Sequence, residues 1–203
     1  MIEAIFFDFG GVVSRLDRDE IRRLEQSYGL QPGDLISSVY AIPEWRDAET
    51  GRCADDVWIE AANRTLDERA GRPVPELHEK WRSMWRQIDE DVVGLARSLG
   101  ARYRVAMISN STLRLEKDLL EPYGLHELFE AVINSARVGI AKPDVRIYHH
   151  AAERLGVDPA ACVHIDDLAP NIEGAMQAGF SAVHYEGDFA SLTASLRALG
   201  VEW

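Results

Sequence analysis

A small set of chemically reactive side chains follows short apolar runs in this sequence. Asp8 ends an apolar run near the start of the chain, and Ser109-Asn110 and Asp166-Asp167 directly follow two later runs. Lys142 stands after a further run, just before a helical pattern. If these runs are parallel strands of one sheet, their carboxyl ends meet at the edge where open α/β folds bind ligands. The sequence therefore predicts one site that combines carboxylates with a lysine, a hydroxyl and an amide.

This combination of groups suits phosphoryl transfer. Asp8 is the candidate nucleophile, because a covalent intermediate divides one difficult step into two easier ones. Carboxylates placed close together repel unless a proton or a divalent cation lies among them, and all-oxygen ligands suit Mg²⁺. Lys142, a compact point charge, can bind both Asp8 and a phosphoryl oxygen. Ser109 and Asn110 can donate hydrogen bonds to an oxyanion without adding charge.

The elements that must position these residues follow from the hydrophobic periodicity. After the strand that ends at Asp8, strands are predicted at Arg104–Ile108, Ala131–Ile133, Ala161–Ile165 and Ala182–Tyr185. Helices are predicted between and after them at Val92–Leu99, Leu113–Tyr123, Val145–Leu155, Asn171–Ala178 and in a final segment capped by Asp188. This alternation predicts an α/β fold with a parallel sheet of about five strands and helices on both faces. His164 and His184 lie within predicted strands, and we expect both in the core.

The stretch between the first strand and Asp89 has a helical pattern and no convincing strand. Asp17 and Glu20 are typical of a capping box, and Gly29 ends the helix that they begin. Further helices are predicted at Leu35–Ala41, Asp55–Ala70 and Glu76–Gln87, the last with an apolar stripe of Leu77, Trp81, Met84, Trp85 and Ile88. Trp81 and Trp85 are expected to be core residues. We interpret residues 16–88 as an insertion that can cover the strand ends as a lid.

The overall charge argues against several classes of partner. The chain has 22 basic and 34 acidic residues and a net charge of -12, which would repel nucleic acid and anionic membranes. The apolar run at the N-terminus has no basic leader and contains Asp8, so it predicts neither a signal peptide nor a membrane span. Cys53 and Cys162 are too few and too far apart for a disulfide framework or a zinc site. We therefore expect a cytoplasmic protein.

Four segments, in this order, resemble the motifs of the haloacid dehalogenase superfamily of hydrolases. They are Asp8-Phe9-Gly10-Gly11-Val12, Ser109-Asn110, Lys142-Pro143 and Ile165-Asp166-Asp167. Each motif alone is weak, but four in order on suitable strands are specific, and the resemblance spans nearly the whole chain. It implies a three-layer Rossmann-like core formed by residues 1–15 and 89–203, with a helical cap of residues 16–88 inserted after the first motif.

The resemblance also implies roles for single residues. Asp8 would be both nucleophile and Mg²⁺ ligand, Asp167 a second ligand, and Asp166 an acid close behind the metal or an alternative ligand. Ser109 and Asn110 would hold the phosphoryl group, and Lys142 would stabilise its charge.

The residue at position 10 departs from the family pattern, where a second Asp acts as general acid and base. Gly10 stands there in this chain, and it can offer only its backbone carbonyl as a metal ligand. Proton transfer typically contributes about a hundred- to ten-thousand-fold to a rate. We therefore expect good leaving groups, such as aryl or anomeric sugar phosphates, to be preferred.

The function expected from these features is Mg²⁺-dependent hydrolysis of a small phosphorylated metabolite through an aspartyl-phosphate, by a monomer or homodimer. One alternative is a protein that binds phospholigands without turnover, since Gly10 removes the acid/base group. Another is a metal-independent 2-haloacid dehalogenase, although that branch of the family generally carries an aromatic residue at the place of Gly10. The acid pair Asp166-Asp167 favours a metal and therefore the phosphatase.

Overall fold

Five short apolar segments form one sheet in the computed structural model, which describes residues 1–15, 17–83 and 87–203. The strands are β1 (Ala4–Phe7), β2 (Arg104–Ser109), β3 (Val132–Asn134), β4 (Cys162–Asp166) and β5 (Ser181–His184). Their order is β3-β2-β1-β4-β5, and every neighbouring pair is parallel. The predicted α/β class and its five-stranded parallel sheet are thus confirmed.

β1 is the central strand, and both of its faces are covered. Ile5 and Phe7 point into one apolar cluster and Phe6 into another, since successive side chains of a strand alternate between faces. The first cluster includes buried residues of α6 (Glu90–Leu99) and α10 (Phe189–Ala198). The second includes those of α8 (Val145–Leu155) and α9 (Ala169–Gln177). The result is a three-layer helix-sheet-helix core.

The chain between β1 and α6 is helical, as predicted. Its helices are α1 (Arg18–Tyr28), α2 (Asp34–Tyr40), α3 (Pro43–Ala48), α4 (Asp55–Ala70) and α5 (Pro75–Ser83), which we call the helical segment. Asp17 caps α1 by accepting hydrogen bonds from the amides of Asp19 and Glu20, and Gly29 ends it in the left-handed conformation. Within the described residues, no helix of the chain is long and apolar enough to span a membrane.

The helical segment buries an apolar cluster of its own. Leu35, Leu66 and Leu77 are fully buried in it, and Trp81 is only 4% exposed, so its predicted core position is confirmed. Leu16, Met84, Trp85 and Arg86 lie outside the described residues, and with them part of the stripe predicted around Trp81. The division into a core and a cap at residues 16–88 stays a prediction.

Three helical stretches differ from the sequence-based expectation. The helix predicted at Leu113–Tyr123 forms as a π-helix at Leu115–Leu120 followed by a 3₁₀ turn at Glu121–Tyr123, and not as one continuous α-helix. Pro122 lacks the amide proton that a continuing α-helix would need there. α3 was not predicted, because six residues carry too little periodicity, although Pro43 at its first turn is a typical helix start. The four-residue α7 (Ser135–Val138) was likewise not predicted.

Candidate active site

Strand register brings the candidate nucleophile to the centre of the sheet edge. Phe7 is paired with Met107 on β2 and with Ile165 on β4. The next residue, Asp8, continues the pairing, because its amide donates to the carbonyl of Ile165 at 2.9 Å. Asp8 therefore lies between the ends of β2 and β4, where the sequence-predicted groups of both strands meet.

The side-chain amine of Lys142 connects these strand ends through hydrogen bonds. Its fully buried amine donates to Asp8 Oδ1 at 2.9 Å, to Asp166 Oδ2 at 2.6 Å and to the carbonyl of Ile108 at 2.8 Å. Burial alone would lower the pKa of Lys142, but the charges of Asp166 and Asp8 outweigh it and hold that pKa above its usual value. The lysine is therefore a permanent cation with all three of its protons engaged.

Asn110 fixes the backbone of Lys142. Its Oδ1 accepts from the Lys142 amide at 2.8 Å, and its Nδ2 donates to the Lys142 carbonyl at 2.9 Å. This pairing resembles one rung of a β-ladder made by a side chain, and it leaves one Nδ2 proton of Asn110 for another acceptor. Ser109, at the end of β2, is buried beside it. Both residues line the cavity described below, and their phosphate-holding role stays a prediction.

The Asp8 carboxylate is buried and asymmetrically bonded. Oδ1 accepts from the amide of Phe9 at 2.7 Å as well as from Lys142. Burial raises the pKa of Asp8 to about 7, against the lowering effect of Lys142 and with smaller increases from Asp166 and Asp167. One lysine therefore does not fully compensate the charge of this carboxylate, which would be stabilised by a further cation.

Each carboxylate oxygen of Asp166 accepts two hydrogen bonds. Its Oδ2 bonds to Lys142 and to His164 Nε2 at 3.0 Å, and its Oδ1 accepts from the Leu168 amide and from Asn171 Nδ2. Burial opposes its ionisation, but Lys142 and His164 outweigh that effect and hold the pKa of Asp166 well below its usual value. This saturation fits an acid that orients its neighbours from behind a metal better than it fits a ligand.

Asp167 lies on the opposite side of the cluster, against the backbone of Gly11. Gly11 has φ +80°, and a Cβ built there would lie 2.3 Å from Asp167 Oδ2. Burial, followed by the charge of Asp166, raises the pKa of Asp167 to about 6. Asp8, Asp166 and Asp167 each offer one oxygen within 4.8 Å of the others. Partly desolvated, mutually repelling carboxylates at this spacing fit a hard divalent cation such as Mg²⁺; the ligand set stays a prediction.

A cavity of about 1,210 Å³ separates this cluster from the helical segment. On the sheet side it is lined by Asp8, Gly10, Ser109, Asn110 and Asp167. On the side of the helices the cavity is lined by aromatic side chains, carboxylates and arginines, among them Tyr40, Trp45, Trp58, Trp81, Glu25, Glu49, Asp55, Arg18, Arg22 and Arg82. The cavity is therefore polar at its base, where a phosphate would lie, and lined by both aromatic and charged side chains where the rest of a substrate would lie.

Several residues that shape the site were not predicted from the sequence. His164 is fully buried as expected, but its bond to Asp166 was not foreseen, although residues two apart on a strand share a face. Asn171 holds Asp166, and Tyr148 holds the Asn171 carbonyl at 2.7 Å. The expectation of a core position for His184 is wrong, because it lies at the end of the edge strand β5 and is exposed.

Comparison with known proteins agrees with this geometry. A family model described as a haloacid dehalogenase-like hydrolase matches residues 2–179. Phosphatase MT3486 of Mycobacterium tuberculosis is 41% identical in an alignment that covers 89% of this chain and 86% of the relative.

Solved structures share the fold along almost the whole chain. A point mutant of an enzyme of the same family from Bacteroides thetaiotaomicron, in complex with magnesium and inorganic phosphate, has a TM-score of 0.71 at 23% identity; the match covers 95% of this chain and 99% of the mutant's chain. The L-2-haloacid dehalogenase of Xanthobacter autotrophicus has a TM-score of 0.68 at 25% identity and covers 98% of this chain and 83% of its own.

Proposed function

We propose that this chain, which belongs to the haloacid dehalogenase-like hydrolase family, is a phosphatase that hydrolyses a small phosphorylated metabolite with Mg²⁺ and through an aspartyl-phosphate on Asp8. One observation carries the proposal. Asp8 faces the cavity at the centre of the sheet edge, bonded to Lys142 and within 4.8 Å of two further carboxylates. The solved relative that holds magnesium and inorganic phosphate supports the same chemistry.

The residues divide the reaction between them. Asp8 attacks phosphorus, and the bond between phosphorus and the leaving oxygen breaks. Lys142 stabilises the negative charge that gathers on the phosphoryl oxygens, and Ser109 and Asn110 donate to them. Mg²⁺, held by Asp8, Asp167 and the Gly10 carbonyl with Asp166 behind, would neutralise the repulsion between Asp8 and the incoming phosphate. Water then cleaves the acyl-phosphate and returns Asp8 to its carboxylate form.

Gly10 shapes the range of substrates. Without a carboxyl two residues after Asp8, the departing oxygen receives less help from this loop than in relatives that carry one. We therefore propose a preference for good leaving groups, and the aromatic wall of the cavity favours substrates with a flat or ring-shaped leaving group. Nucleic acid and membranes are not among the proposed partners, and the proposed location is the cytoplasm.

Metal removal is the first test. In a screen of phosphorylated metabolites and aryl phosphates, we expect phosphate release to require Mg²⁺, to stop when EDTA is added, and to return when excess Mg²⁺ is restored. The measurement is inorganic phosphate released per minute, with 2-chloropropionate and halide detection run in parallel. Halide release that persists in EDTA would instead support the dehalogenase, which shares the fold. Binding of phosphate compounds without any turnover would support a sensor.

Gly11→Ala should weaken metal binding selectively. The added Cβ would lie 2.3 Å from Asp167 Oδ2, so this carboxylate must move. We expect the Mg²⁺ concentration that gives half-maximal activity to rise about tenfold or more, by analogy with the loss of groups that orient metal ligands. Gly29→Ala is the matched control, because Gly29 has φ +75° and nothing within 4 Å of the added atom. An equal effect of both substitutions on Mg²⁺ dependence would exclude this role for Gly11.

A further inference from the structure

Gly10 leaves open which group protonates the leaving oxygen, and the cavity offers a limited number of carboxyl groups. Outside the cluster around Asp8, the carboxylates that line it among the described residues are Glu25, Glu49, Asp55 and Asp118. All four come from outside the sheet, so none is marked by a strand-end motif.

Three of these four carboxylates are hydrogen-bonded to other residues of the chain. Glu25 Oε1 accepts from the amides of Gly33 and Leu35 at 2.9 and 3.0 Å, which ties α1 to the start of α2. Asp55 accepts from the hydroxyl of Thr112 at 2.8 Å. Asp118 is paired with Arg114 at 2.5 Å. Glu49 is the carboxyl group of this set that faces the cavity without such a structural pairing.

Glu49 directly follows α3 and lines the cavity. Glu49 is half-buried and lines the cavity together with Trp45 and Asn110, and both of these side chains favour its ionised form. Asp8 lines the same cavity, so the carboxyl of Glu49 and the proposed nucleophile face one shared space.

Two contacts hold the Glu49 loop against the core. A Cβ on Gly51 would lie 2.3 Å from the carbonyl of Ala136, so only glycine allows the backbone to come this close to the start of α7. Four residues later, Asp55 is bonded to Thr112, on the chain that follows β2. Because both contacts reach the core from within a few residues of Glu49, its position over the cavity is fixed by the core and not by the helices alone.

The protonation state of Glu49 suits a proton donor. Burial raises the pKa of Glu49 to about 7, against the lowering effects of Arg46, Trp45, Arg52 and Asn110. A carboxyl with a pKa near the working pH is populated in its acid form and still transfers its proton readily.

We propose that Glu49 is the general acid that protonates the leaving oxygen when Asp8 attacks phosphorus. This assignment rests on the proposed function. As the Asp8 oxygen bonds to phosphorus and the ester bond breaks, the Glu49 proton passes to the departing oxygen, which leaves as an alcohol. In the second step the Glu49 carboxylate takes a proton from the attacking water, the acyl-phosphate bond breaks, and inorganic phosphate and the Asp8 carboxylate are released. Glu49 returns to its acid form, so protons balance over the cycle.

The test is the dependence of rate on the leaving group in Glu49→Gln. kcat/KM is measured with Mg²⁺ on alkyl phosphates and on p-nitrophenyl phosphate, because it reports the steps up to leaving-group departure. Alkyl leaving groups need a proton and p-nitrophenolate does not. We expect kcat/KM to fall about a hundred-fold or more on alkyl phosphates and about threefold or less on p-nitrophenyl phosphate. The retained activity on the aryl ester also shows that the variant is folded.

Glu44→Gln is the matched control. Glu44 lies in α3, the helix that Glu49 follows, is paired with Arg64 at 3.8 Å and is not among the described residues that line the cavity, so we expect both substrate classes to react at the wild-type rate. An equal fall of kcat/KM on both classes in Glu49→Gln, or no fall on either, would overturn the proposal. Asp8→Asn separates the two levels of inference. If it still turns over substrate, the proposed function fails; if it is inactive and Glu49→Gln shows no leaving-group selectivity, only the role of Glu49 fails.

Discussion

Asp8→Asn is expected to lower phosphatase activity at least about ten-thousand-fold, to the detection limit of a phosphate-release assay. The asparagine amide has nearly the same shape, and it can still accept from Phe9 and Lys142 as Asp8 Oδ1 does. It cannot, however, form the acyl-phosphate. Incubation of the wild-type protein with substrate and rapid acid quenching should trap phosphate on the chain, and Asp8→Asn should trap none.

The same substitution should leave the fold intact. The pKa of Asp8 rises from its ordinary value of 3.8 to about 7 in the folded protein, with burial as the largest cause. Between these values the folded chain binds more protons than the unfolded chain, so in EDTA stability falls as the pH rises from about 4 to about 7. The neutral amide of the variant places no charge in this buried position, so the melting temperature of the variant at pH 7.5 should be equal to or above that of the wild type. A lower melting temperature would show that the ionised Asp8 stabilises the metal-free protein.

Lys142→Met is expected to have the largest effect on stability. The amine of Lys142 is fully buried between Asp8 and Asp166, and its removal leaves two buried carboxylates without their shared cation. Breaking a buried ion pair in this way costs about 3–5 kcal/mol of unfolding free energy. Urea unfolding at pH 7.5 in EDTA measures the change. Activity should also fall about a hundred-fold or more, because the positive charge near the phosphoryl oxygens is lost.

Two further variants separate the charge effect from packing. Lys117→Met alters an exposed lysine and should leave both stability and activity at the wild-type level. Adding Asp8→Asn to Lys142→Met removes one of the two stranded carboxylates, and it should restore part of the lost stability without restoring activity. If the double variant is no more stable than Lys142→Met alone, packing around the lysine stem and not charge would account for the loss.

The sheet and its strand-end residues could be predicted because their signals are local. The run around Phe6 is apolar on both faces, so a central strand follows from composition alone, and Asp8 interrupts that run. Lys142 could be assigned to the same site because its motif stands in a fixed order between the strands. How tightly it is shared by Asp8 and Asp166 depended on the strand register, which no sequence pattern gives.

The role of Glu49 could not be predicted, because no local sequence signal marks this residue. It follows a six-residue helix that has no usable periodicity, and no strand end marks it. Its place over the cavity comes from tertiary contacts at Gly51 and Asp55, which are far in sequence from their partners Ala136 and Thr112. A carboxylate set in place by docking looks like any surface acid until the chain is folded.

The two contacts at Gly51 and Asp55 also tie chemistry to enclosure. They join the chain that carries Glu49 to Thr112, which follows β2, and to Ala136 in α7, which follows β3. Any motion that lifts this chain to admit a substrate withdraws the carboxyl at the same moment and lets bulk water reach Asp8. Hydrolysis that depends on Glu49 is thereby confined to the closed arrangement. The same two contacts therefore control both the access of water to Asp8 and the presence of the proton donor.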